Sequence, residues 1–282
     1  MELSDPRALR DALRRHGVRA ATSLGQRFLV DRAVLAAIVD AAELGADDDV
    51  LEVGPGPGVL TRALAERART VTAVEVDPRM VRVLADTLSA HPNAHVVQAD
   101  ALAVDLFAVG PAPTRIVANL PYQITSPLVM RFLGDPRRPP LVVVLVQEEV
   151  ARRMVAKEGA AGERGFLSIF VESFCDPRIV RRVPPRAFRP PPKVRSAVVA
   201  MRTHRRPAFA PLAPEPFLRL VSDCFRHRRK QLRSALGHEA AVSRDRAAAA
   251  LESAGIDPRR RPEELALAEW VALANSLGVP ES

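Results

Sequence analysis

Several things are scarce in this chain. Aromatic residues make up 4%, with a single Tyr and a single Trp. Two cysteines, Cys175 and Cys224, stand far apart with no metal-ligand spacing, which excludes a disulfide framework or a zinc module. Reduced, mostly buried thiols are expected, and no metal. No apolar run reaches the ~18 residues of a membrane span, so no membrane partner is expected. The opening "MELSDPRALRDALRRHG" places charges on a short helical pattern without an apolar h-region, so no secretory signal is read there. Glu2, Asp5 and Asp11 argue against an Arg-rich transit peptide, leaving a cytoplasmic protein as the expectation. The last absence is local: residues 178–206 hold ten Lys/Arg and no Asp or Glu.

That segment, "RIVRRVPPRAFRPPPKVRSAVVAMRTHRR", carries the whole of a net charge of +8. A second basic cluster, "FRHRRKQLR", runs from Phe225 to Arg233. Concentrated positive charge without compensating acid points to a polyanion such as nucleic acid. The hydrophobic share, 48% of 282 residues, suits one large domain with a smaller one attached.

Along the first 150 residues short apolar runs alternate with helical patterns. "DDVLEVG", "TVTAVEVD", "AHVVQAD", "TRIVAN" and "PLVVVLVQ" read as strands. "VLTRALAERA", "RMVRVLADTLS", "SPLVMRFL" and "EEVARRMVAKEG" read as helices. This alternation predicts an α/β fold with a parallel sheet. "IVRRV" and "SAVVAMR" predict two further strands, separated by "PPRAFRPPPK", too rich in Pro for helix or central strand. From Phe217 the pattern is helical to the end, so the division predicted is 1–206 and 207–282.

The loop "VLEVGPGPGVLTRAL" is a strand, a Gly-rich turn and a helix. Gly54, Gly56 and Gly58 allow a tight bend and close approach to a ligand. Glu75 ends the next strand, where an acid accepts hydrogen bonds from ribose hydroxyls. Asp100 ends the one after, placed to accept from an adenine amino group. A dinucleotide fingerprint asks for G-x-G-x-x-G, but here the spacing is G-P-G-P-G, and two prolines remove amides that would cradle phosphate. An adenosine cofactor without phosphates fits, and S-adenosylmethionine is the candidate.

The fourth strand delivers "NLPY", Asn119 to Tyr122, to the same edge. The exocyclic N6 of adenine is a poor nucleophile because its lone pair is delocalised. Acceptors for its N–H groups would localise that pair, and the Asn119 side chain and the Pro121 carbonyl are of the right kind. Tyr122 would stack on an unstacked base. The positive sulfonium activates the methyl group, so positioning and electrostatics suffice without a strong base.

On these motifs the chain resembles the ribosomal RNA adenine N6,N6-dimethyltransferase family, and within it the bacterial small-subunit (16S) group. "LGQRFL" (Leu24 to Leu29), "LEVGPGPGVLT", "VEVDP", "QADAL", "NLPY", "VPPRAFRPPPKVRSAVV" and "FRHRRKQLRSAL" carry the resemblance. It implies a Rossmann-like class I methyltransferase sheet with helices on both faces, plus a small all-α C-terminal domain that binds RNA. It implies that Leu29, Gly54, Glu75, Asp100 and Asn119 contact or border the cofactor, with Gln26 and Gly56 beside them. Phe188 would pack on the target base opposite Tyr122. The family usually has Asn where this chain has Arg27, which cannot accept hydrogen bonds and would pair with the methionine carboxylate or turn outward.

The implied reaction is dimethylation of two adjacent adenines in the 3′-terminal hairpin of 16S rRNA, within an immature small subunit and by a monomer. Two alternatives share the motifs: a 23S rRNA dimethyltransferase of the macrolide-resistance type, and a non-catalytic ribosome-assembly factor. A DNA adenine methyltransferase fits less well, because its motif often has Pro where Leu120 stands. Arg186, Arg189, Lys193, Arg226, Arg228, Arg229 and Lys230 are the predicted phosphate contacts.

Overall fold

The computed structural model describes residues 3–18, 26–160, 162–239 and 242–282. They form two compact units, Met1–Ala151 with Arg178–Thr203, and Arg152–Pro177 with His204–Ser282. The transition at 203/204 lies close to the one read from sequence. The segment 152–177, by contrast, leaves the first unit for the second before the chain returns.

The first unit is built on seven strands: β2 (Asp49–Val53), β3 (Thr70–Glu75), β4 (Ala94–Gln98), β5 (Arg115–Asn119), β6 (Leu141–Gln147), β7 (Cys175–Val183) and β9 (Ser196–Thr203). Their order is β4-β3-β2-β5-β6-β9-β7. The first five run parallel, and β9 lies antiparallel against β6. Two-residue strands β1 (Phe28–Leu29) and β8 (Phe188–Arg189) pair separately. Helix α1 (Pro6–Arg15) precedes the strands, and α2 (Arg32–Ala41), α3 (Val59–Ala65), α4 (Pro78–Thr87) and α5 (Thr125–Gly134) connect them.

Sequence explains the layering. In β6, "LVVVLVQ", six consecutive residues are buried, as both faces of a central strand must be. Val143 and Leu145 pack with Ile38 of α2 and Leu60 and Leu64 of α3. Val142, Val144 and Val146, on the opposite face, are equally inaccessible. The edge strand β4, "AHVVQ", is only partly covered. Asp31 caps α2 by accepting from Val34 N–H (3.1 Å), and Asp77 followed by Pro78 starts α4.

The second unit holds α7 (Phe166–Phe174), α8 (Pro214–Arg226), α9 (Leu232–Glu239), α10 (Arg244–Ser253) and α11 (Leu267–Ser276), while α6 (Glu148–Val155) begins in the first unit. The scarce aromatics concentrate here. Phe166, Phe170, Phe174, Phe209 and Phe217 form a chain with neighbouring centroids 4.6–6.1 Å apart, and Phe225 lies 5.9 Å from Trp270. Fully buried Arg164 donates to the carbonyls of Ala156 and Leu265 and pairs with Glu172 at 2.9 Å. Burying that cation is tolerable only with such a set of acceptors, and it ties 152–177 to the end of the chain. The stretch read as one helix from "PEELALAEWVALANSLG" is a 3-10 turn, Pro262–Glu264, followed by α11.

Candidate active site

After β2 the chain turns outward through β3 and β4 and then crosses back to β5, so β2 and β5 flank a switch in direction. Open α/β sheets bind ligands at the strand ends beside such a switch. Here a cavity of about 290 Å³ opens at that point. Gln26, Arg27, Leu29, Gly54, Gly56, Glu75, Asp100, Asn119, Pro121 and Tyr122 all line it. Leu24 and Gly25 of "LGQRFL" lie outside the described residues.

The glycine loop and "NLPY" touch. Gly54 has φ +70°, and a Cβ there would meet the Pro121 ring at 3.3 Å. A Cβ on Gly56 would meet the Phe28 ring at 3.2 Å. Glu75 Oε2 accepts from Gly56 N–H (3.2 Å) and Oε1 from Asp77 N–H (2.9 Å). Burial nevertheless raises the Glu75 pKa above the usual carboxylate value, those backbone amides opposing the shift. Ala99 N–H donates to the Glu75 carbonyl (3.1 Å), which sets exposed Asp100 alongside. One Asp100 oxygen accepts from Leu102 N–H at 2.8 Å. Gln26 donates to Asp77 at 3.1 Å.

Glu52 escaped the sequence reading. It is 1% exposed, lines the cavity, and its Oε2 has no hydrogen-bond partner among the described residues. Burial pushes its pKa up to about 8, with Glu75 adding repulsion and Thr61 opposing. The signal was present, a lone acid inside the apolar run "VLEVG", but it reads as any strand residue.

These features decide what the cavity fits. Pro55 and Pro57 have no amide to offer. The Gly56 N–H is held by Glu75, and the Gly58 N–H by the Pro55 carbonyl (3.0 Å). The loop thus turns its donors inward and forms no phosphate nest. A glycine loop without a phosphate nest suits an adenosine donor that carries no phosphates, as S-adenosylmethionine is.

On the other side, the Asn119 amide nitrogen donates to the Arg27 carbonyl at 3.3 Å. That bond fixes which way the amide faces and leaves its oxygen to accept. Tyr122 is half-buried, with its hydroxyl 2.7 Å from Ser196 Oγ. Desolvation raises its pKa, while Ser196 and the positive charge of Arg27 pull it down.

Two expected roles meet a different local geometry. The Pro121 carbonyl already accepts from Ile124 N–H (3.2 Å) and Thr125 Oγ1 (3.1 Å), so both lone pairs are engaged by the following turn. The Leu120 carbonyl, one residue earlier at the same cavity, receives no hydrogen bond among the described residues. Phe188 is fully buried, pairs with Leu29 across β1 and β8, and belongs to the core with Val183, Ala187 and Val198. It does not line the cavity, because its two-residue strand turns the ring inward.

The basic segment is partly spent internally. Arg182 and Arg195 pair with Glu148 at 3.2 and 3.1 Å, and Arg202 pairs with Glu43. Arg186 and Lys193 are exposed and make no ion pair among the described residues, and exposed Arg189 donates to backbone carbonyls. In the second unit Arg226 stands 3.6 Å from Asp223, while Arg228, Arg229 and Lys230 are exposed.

A sheet of this order, with a glycine loop after β2 and acids at the ends of β3 and β4, defines a class I S-adenosylmethionine-dependent methyltransferase. Comparison with known proteins narrows the class. The sequence model of ribosomal RNA adenine dimethylase matches residues 17–278, and the chain belongs to that family. A Ribosomal RNA small subunit methyltransferase A from Geobacillus thermodenitrificans is 39% identical, over 98% of this chain and 97% of the relative. Another from Dehalococcoides mccartyi is 40% identical, over 91% and 88%. Among solved structures, a dimethyladenosine transferase from Plasmodium falciparum superposes with TM-score 0.78 at 26% identity, covering 89% of this chain and 98% of that one. The 23S rRNA methyltransferase ErmE gives TM-score 0.69 at 35% identity, covering 89% and 99%.

Proposed function

We propose that this chain methylates N6 of two adjacent adenines in the 3′-terminal hairpin of 16S rRNA, giving N6,N6-dimethyladenosines. The observation that carries the reading is the convergence of Glu75, Asp100, Asn119 and Tyr122 on one cavity with the phosphate-averse glycine loop. Glu75 and Asp100 would hold the ribose and adenine of the donor. Glu52, Gly54, Gly56, Leu29 and Gln26 would form the rest of its wall. The donor supplies a methyl group activated by a sulfonium, so the reading calls for no metal.

The protein's part is positioning. The Asn119 oxygen and the Leu120 carbonyl accept from the target amino group and localise its lone pair. Tyr122 presents a ring face to a base removed from its stack. Arg186, Arg189, Lys193, Arg226, Arg228, Arg229 and Lys230 neutralise phosphates. The acceptor in this reading is a partly assembled small subunit in the cytoplasm, and the enzyme acts as a monomer.

Tritiated-methyl transfer to undermethylated 30S subunits, 50S subunits and duplex DNA tests it. N6,N6-dimethyladenosine from 30S alone supports the reading, and label confined to 50S overturns it. The likeness to ErmE favours that second outcome. Against it stand relatives at 36–39% identity, spanning 97–98% of this chain, that are named small-subunit methyltransferases.

A further inference from the structure

Tyr122 follows β5, and Ser196 opens β9, with β6 between them. Two strand spacings, roughly 10 Å, separate β5 from β9. The hydroxyls nevertheless meet at 2.7 Å. Antiparallel direction makes this possible: β5 and β6 end at the cavity edge, whereas β9 begins there, with Ser196 opposite Gln147. Ser196 is fully buried, and its hydroxyl has no other hydrogen-bond partner among the described residues.

The residue before it, Arg195, is anchored twice by Glu148. Glu148, directly after β6, donates its N–H to the Arg195 carbonyl at 3.0 Å. The Glu148 carboxylate bridges Arg182 and Arg195. The residue before Ser196 is thus stapled to the strand that lies between it and Tyr122. With Phe188 in the core, Tyr122 is the one aromatic ring of "NLPY" and the Pro-rich segment that lines the cavity.

We infer that Ser196 is a positioning residue for methyl transfer, holding the Tyr122 ring at the angle at which it receives the target base. The inference rests on Tyr122 being the base platform of the proposed reaction. It assigns the first residue of "SAVV" a task separate from cofactor binding. A hydroxyl at the start of a buried strand otherwise serves only its own backbone.

The chain has a single tyrosine, so tyrosine labelled with 13C at the ring carbon bearing the hydroxyl gives one resonance. In Ser196→Ala that resonance should shift at neutral pH, with the fold intact by circular dichroism. Ser196→Ala and Tyr122→Phe should each lower kcat/KM for 30S subunits by about 3- to 10-fold, the scale of one hydrogen bond. The double variant should be no slower than the slower single one, because both changes remove the same bond. Calorimetric affinity for S-adenosylmethionine should stay within about twofold. An unmoved resonance, additive losses or a parallel loss of cofactor affinity would overturn the inference. A wild type inactive on every subunit would instead remove the base-platform reading, and the resonance would still report on the bond itself.

Discussion

The two walls of the cavity are built differently. In the proposed reading the donor wall comes mostly from residues 52–100 (the glycine loop, Glu52, Glu75 and Asp100), with Gln26 and Leu29 beside them, and its groups are held by neighbouring backbone amides and by burial. The acceptor wall depends on distant segments: Asn119 is oriented by Arg27, 92 residues away, and Tyr122 by Ser196, 74 residues away. The donor wall is therefore mostly local and redundant, whereas Asn119 and Tyr122 each depend on one side-chain hydrogen bond. Damage to one wall should leave the other working, apart from the contact between Gly54 and Pro121.

The largest effect should come from Asn119→Ala. Loss of an acceptor aimed at the reacting group typically costs about 10²–10³ in rate. Single-turnover methylation of 30S subunits should fall by that much, while calorimetric donor affinity changes under about fivefold. A matching collapse of affinity would show that the walls are not separable. Glu75→Ala is the converse, and donor affinity should drop about 10- to 100-fold, the range for charge-assisted hydrogen bonds. If turnover at saturating donor falls as far as affinity does, the division fails.

Neither wall should respond to Arg228→Ala with Arg229→Ala. RNA affinity should fall roughly tenfold near physiological salt, with the slope of log K against log[salt] shallower by about 2. A filter-binding series in salt checks this, and an unchanged slope removes both residues from the interface.

The smallest effect concerns stability. Glu52 has a folded pKa near 8 against an ordinary 4.5, so the folded state binds the extra proton between those values. Its contribution is greatest at low pH and is lost as pH rises through that window. Raised in the same direction, Glu75 adds to the loss. Melting curves from pH 5 to 8.5 should show a decline, partly abolished in Glu52→Gln. Equal slopes in the two proteins would mean that Glu52 is ionised in the fold.

The same contrast governs what sequence reveals. The glycine loop, Glu75, Asp100 and "NLPY" are legible because each ends a strand, and parallel strands put their ends on one edge. Leu120 is silent because a backbone carbonyl leaves no mark on residue type. Ser196 is silent because only the reversed direction of β9 brings it to the edge. Phe188 misleads because an aromatic beside prolines and arginines looks exposed, whereas pairing of β8 with β1 turns it into the core. The interleaving of 152–177 hides for a similar reason, since buried Arg164 reads as one more surface charge until Leu265 and Glu172 meet it.

The reversed strand has an architectural consequence. Residues 184–195 leave β7 and re-enter the sheet at Ser196, and the Glu148 staple fixes the point of re-entry. Within that stretch, pairing of β8 with β1 holds Ala187 and Phe188 in the core, so charge can change at exposed Arg186, Arg189 and Lys193 without disturbing strand register. Exchanging those three exposed residues for a relative's is then a way to alter RNA contacts while the donor side of the cavity stays untouched.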